Sequence, residues 1–85
     1  MNWTIAVSGR ARRNLKRVPA ADQERIMAAT NAMHGNPLSG DVVKLVGQDA
    51  YRRRAGSYRI IFRIDFKAFA VGIIDILRRT TTTYR

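Results

Sequence analysis

The stretch from Tyr51 to Ile64, YRRRAGSYRIIFRI, decides how this chain folds. Two short runs of aromatic, β-branched and arginine residues flank Gly56-Ser57, a dipeptide suited to a two-residue type II′ hairpin turn. With that turn, Ala55 pairs with Tyr58, Arg54 with Arg59, Arg53 with Ile60, Arg52 with Ile61 and Tyr51 with Phe62. Side chains alternate between the faces of a strand. Tyr51, Arg53, Tyr58, Ile60, Phe62, Ile64 and Phe66 then share a core face, and Arg52, Arg54, Arg59 and Arg63 share the other. Arg54 stands directly opposite Arg59, a like-charge pairing that costs stability. Such a cost predicts an anion on that face.

Composition points the same way. The 85 residues predict one domain with a modest core. There are 16 Lys and Arg against 6 Asp and Glu, a net charge of +10, which calls for nucleic acid, an anionic membrane or an acidic protein as partner. All but three of the basic residues are Arg, whose planar fork fits phosphate oxygens two at a time. The charge is also segregated, because two basic blocks, at residues 1–21 and 50–85, flank an acidic middle. Cysteine is absent, which excludes disulfides, thiolate chemistry and Cys-based zinc sites. One His and dispersed acids predict neither a metal nor a cofactor. The lack of a long apolar run or a leader-like start predicts a cytoplasmic protein with no membrane partner.

Outward from the hairpin, Trp3, Ile5 and Val7 alternate with polar or small residues as a first strand. Ser8 is placed to cap a helix over about residues 9–18, with Pro19 after it. Ala11, Leu15 and Val18 form its apolar stripe, and Arg10, Arg12, Arg13, Lys16 and Arg17 lie mostly off it, as a solvated face or a binding surface. Asp22 is read as the cap of a second helix reaching about Met33, with Ile26, Ala29 and Met33 inward. The short link makes the two an antiparallel hairpin. His34, at that helix end, is read as a surface residue without a catalytic role. Val42 to Val46 form an edge strand, and Phe69 to Leu77 a last strand after a turn at Lys67-Ala68. That register sets Arg63 beside Gly72, Ile61 beside Ile74 and Arg59 beside Ile76. Arg78 then joins the arginine face, and Asp75 falls near Arg53 as an ion-pair partner. The expected fold is α+β: an antiparallel sheet packed against an N-terminal helical hairpin.

The segment GDVVKLVGQDAYRRRAGSYRIIFRID, residues 40–65, resembles the pattern of RelE-family toxins: G-D near a K-L-x-G turn, Y-[KR]-x-[KR], then G-x-Y-R-x-x-[YF]. The order of elements agrees over essentially the whole chain, so residues 1–85 are read as one RelE-like domain with a microbial ribonuclease-like fold. The resemblance implies a type II toxin that cuts mRNA in the ribosomal A site and is neutralised by a RelB-like antitoxin. Operator DNA would be reached only through that antitoxin. The catalytic positions implied are Arg52, Arg54 and Arg59 of the hairpin, Arg78 or Arg79 after the last strand, and Tyr84. Arg10, Arg12, Arg13, Lys16, Arg63 and Arg79 are the further candidates for RNA contact, to mRNA or rRNA. Threonines 80–83 depart from the charged residues that relatives carry there. A ParE-like inhibitor of DNA gyrase on the same fold, and a non-catalytic basic module, are the alternatives.

RNA cleavage of this kind needs a deprotonated 2′-OH, a stabilised pentavalent phosphate and a protonated leaving oxygen. Arg keeps its proton up to a pKa above about 12, so it serves charge stabilisation and not proton transfer. Tyr84 is the titratable candidate; with a pKa of about 10, roughly one tyrosine in a thousand is ionised at pH 7. Packed arginines favour the phenolate, and the ring also suits stacking on an unpaired base.

Overall fold

A computed structural model describes residues 2–78 of the chain. Along them run β1 (Thr4–Val7), α1 (Gly9–Lys16), α2 (Ala20–Ala32), β2 (Val42–Lys44), β3 (Tyr51–Ala55), β4 (Tyr58–Asp65) and β5 (Ala70–Arg78). The strands form one sheet in the order β1-β5-β4-β3-β2. The β3–β4 hairpin has the register read from the sequence, with Arg54 opposite Arg59 and Ala55 opposite Tyr58. Gly56 takes φ +59 while Ser57 does not enter the positive region, as a type II′ turn requires.

The sheet is mixed, not wholly antiparallel. The helical hairpin carries the chain across the sheet, so β1 lies parallel to β5, with Thr4 beside Ala70 and Val7 beside Ile73. Ser8 caps α1 as expected, its Oγ accepting from the Ala11 N–H at 3.0 Å. Asp22 is not the cap of α2. Pro19, in an extended conformation, starts that helix and Asp22 sits in its first turn, where a carboxylate meets the positive end of the helix dipole. The tight link is closed by Gln23, whose Nε2 donates to the carbonyls of Leu15 and Val18 at 3.0 Å each. Val18 lies beyond the end of α1, and the Leu15 carbonyl also accepts from the Val18 N–H at 3.1 Å.

Ala11, Val18, Ile26, Ala29 and Met33 pack with Tyr58, Ile60, Phe62, Val71, Ile73 and Ile76 as one buried cluster. Both helices therefore lie on the Ile60 face. The opposite face, with Arg52, Arg54, Arg59 and Arg63, has neither helix on it.

Between β4 and β5 the register changes. Arg63 pairs with Gly72 as expected, but a bulge falls between Ile61, which pairs with Asp75, and Phe62, which pairs with Ile73. The extra residue moves Ile76 inward, opposite Ile60, and sets Leu77 opposite Arg59 and Arg78 opposite Tyr58. Arg78 thus sits on the helix-side face, not among the arginines. The expected Arg53–Asp75 pair is likewise replaced. Asp75 accepts from Asn14 Nδ2 at 2.6 Å and lies 4.0 Å from Arg10, whereas Arg53 donates to the carbonyls of Ser39 and Arg54. The bulge carbonyl of Ile74 accepts from Ser8 Oγ at 2.6 Å.

The last turn spans residues 66–69, longer than Lys67-Ala68 alone. Asp65 Oδ1 accepts from the N–H groups of Lys67 and Ala68 at 3.1 Å each, an Asx turn that ends β4 early. Phe66 is consequently outside the core, 55% exposed, and meets the Trp3 ring edge-on at 5.9 Å. No described helix is long and apolar enough to cross a membrane.

Candidate anion-binding site on the open sheet face

Alternation along β3 and β4 delivers Arg52, Arg54 and Arg59 to one patch, since Arg54 faces Arg59 directly and Arg52 is its diagonal neighbour through Ile61. The three differ in setting. Arg52 and Arg59 are half-buried. Arg52 Nη1 is buried and has no hydrogen-bond partner among the described residues. A guanidinium whose inner edge is out of water attracts an anion at its outer edge more strongly, because the local dielectric is lower. Arg54 is more exposed and lies 3.6 Å, through its Nε, from Asp41 Oδ2. The protein therefore offsets part of the Arg54–Arg59 repulsion with one of its own carboxylates.

Between the arginines the floor is mainly apolar, and Asp75, opposite Ile61, is engaged by Asn14 and Arg10 of α1. Ile61 and Ile74 are half-buried there. Val43 and Leu77, at 47% and 43% exposed, flank them beside Arg52 and Arg59 respectively. Cations over apolar surface suit a ligand with phosphates and flat rings. Arg63 is exposed farther along β4, beside Gly72.

The other candidates are not brought to this patch. Arg10, Arg12, Arg13 and Lys16 are exposed on α1, a different element, held to the sheet by buried Ala11. Arg78 ends β5 on the other face. Arg79 and Tyr84 lie outside the described residues. His34 is exposed and its Nδ1 is 2.9 Å from the Trp3 carbonyl oxygen. Among the described residues no three His, Cys, Asp or Glu side chains form a group able to hold a metal. Asp41 and Gly40 were not among the candidates, although the G-D of the sequence pattern marked the place.

A family model described as the ParE toxin of the type II toxin–antitoxin system parDE matches residues 5–82. The chain belongs to this family. It is a type II toxin of the RelE/ParE superfamily. Solved structures share its fold. The archaeal RelE–RelB complex from Pyrococcus horikoshii OT3 is similar at 25% identity with a TM-score of 0.86, covering 96% of this chain and 100% of that one. In the RelBE2 complex from Mycobacterium tuberculosis the figures are 27% and 0.64, over 93% and 100% of the two chains. The isolated Escherichia coli RelE toxin has a TM-score of 0.80 at 15% identity, over 95% and 88%; that likeness is one of fold. No curated protein matches the chain.

Proposed function

We propose that this toxin is an endoribonuclease that cuts mRNA in the ribosomal A site and so stops translation. The observation that carries this reading is the set of three guanidiniums, Arg52, Arg54 and Arg59, on a sheet face that no helix covers. Held by paired strands, they need little rearrangement when charge develops on a phosphate, the condition for electrostatic stabilisation. Arg59 is the main stabiliser of the pentavalent phosphate, with Arg52 and Arg54 beside it. Tyr84 handles a proton or stacks on a base. A site with so few acid–base groups is slow by itself, and it relies on the ribosome to align the mRNA, since positioning is worth several kcal/mol. The basic face of α1 and Arg63 contact RNA outside the reacting centre.

Inhibition of DNA gyrase is the second reading, and the match to the ParE family model favours it. The two are separated by inducing the toxin in cells and mapping RNA ends and DNA breaks together. Cuts within codons of translated messages are expected. Broken DNA with intact messages would replace the first reading by the second, and neither lesion would leave a non-catalytic basic module.

The neutralising partner is an acidic, partly disordered antitoxin of the RelB type that covers the basic face and the helical hairpin. The net charge of +10 supports it, and several similar structures are RelE–RelB complexes.

A further inference from the structure

Gly40 has no part in the site, and Asp41 enters it only as a charge that offsets repulsion. In the structure this pair lies against β3. Gly40 has φ +81, and a Cβ there would stand 2.6 Å from Arg53 Cζ, so the Arg53 guanidinium occupies the space a side chain would need. Arg53 Nη1 also donates to the Ser39 carbonyl at 3.4 Å, and its Nε to that of Arg54 at 3.3 Å. One residue on, the Asp41 carbonyl accepts from the Arg54 N–H at 3.0 Å. The Asp41 carboxylate then lies 3.6 Å from Arg54 Nε. A single three-residue loop thus grips two adjacent arginines whose side chains leave opposite faces of the strand.

We propose that Asp41 is a positioning residue for the cation cluster, holding Arg54 by Nε so that its two terminal nitrogens stay free for an anion. The inference rests on the reading of the open face as the anion site. Arg54 faces Arg59 across the hairpin, and a long side chain that is 42% exposed would otherwise turn away from its like-charged neighbour. Contact at Nε fixes the inner edge of the guanidinium. The Nη pair, which makes the parallel bonds to a phosphate, has no hydrogen-bond acceptor among the described residues. An ion pair this exposed contributes little to folding. Its effect is placement.

The test titrates growth arrest on induction, a readout that does not depend on which macromolecule the toxin attacks, for wild type, Asp41→Asn, Arg54→Ala and the double variant. Asp41→Asn is expected to weaken the toxin about 10- to 100-fold, as displaced catalytic groups do. It should leave the melting temperature unchanged and add nothing in the Arg54→Ala background. In purified protein the Arg54 Nε–Hε resonance, assigned by its loss in Arg54→Lys, should shift in Asp41→Asn. Full potency of Asp41→Asn beside a weakened Arg54→Ala overturns the inference alone, as does an unmoved Arg54 resonance. Equal losses in both backgrounds overturn it too, because Asp41 then acts elsewhere. Full potency of Arg54→Ala removes Arg54 from the site and takes the reading of the open face with it.

Discussion

Arg59 is the second residue of β4, one pair away from the hairpin turn, with Arg54 opposite and Leu77 on its other side. Loss of one preorganised donor to a developing anion costs about 100- to 1000-fold in rate. Arg59→Ala should therefore abolish toxicity while antitoxin and ribosome binding survive on the remaining charge. Single-turnover mRNA cleavage on programmed ribosomes checks this, with Arg10→Ala as control; equal slowing by both would mean that charge acts in bulk. Tyr84→Phe belongs in the same assay. It should slow cleavage if the hydroxyl handles a proton, and leave the rate nearly unchanged if the ring only stacks. At this scale the hairpin arginines were legible because period two and a Gly-Ser turn fix which residues share a face. Arg54's tie to Asp41 was not, since it depends on where a loop 13 residues upstream comes to rest.

The elements obeyed local rules where the partners were local. Ser8 capped α1, and the β3–β4 register followed from its turn. The β4–β5 bulge was also written in the sequence, in a form easily passed over. Val71 and Ile73 are two apart, but the next buried residue of β5 is Ile76, so the inward parity switches between them. An unbroken strand would have put Asp75 into the core and Ile76 among the arginines. The bulge spares both at the cost of an unpaired carbonyl at Ile74, and Ser8 Oγ satisfies it. Ser8→Ala removes that donor together with the α1 cap. The cap alone is worth about 0.5–2 kcal/mol, so the variant should lose at least about 1 kcal/mol in urea unfolding, more than Ser8→Thr. The parallel placement of β1 was not legible, because no short-range pattern says which edge a strand will join after a crossover.

For the molecule as a whole the net charge of +10 on 85 residues opposes compaction, and the core that resists it is small. An acidic partner relieves that repulsion, and its grip should weaken with salt: affinity measured at about 0.5 M salt should be at least about tenfold below that at about 0.05 M. A partner peptide indifferent to salt would show that apolar contacts carry the complex. The final strand has a further consequence through its neighbours. β5 lies between β1 and β4, and Ser8 reaches Ile74 across 66 positions. A nascent chain that has emerged only as far as β4 has no seat for its own first strand, and α1 has no bulge to grip. Folding of the whole sheet is thereby deferred until β5 has been made, and long-range closure of this kind is slow.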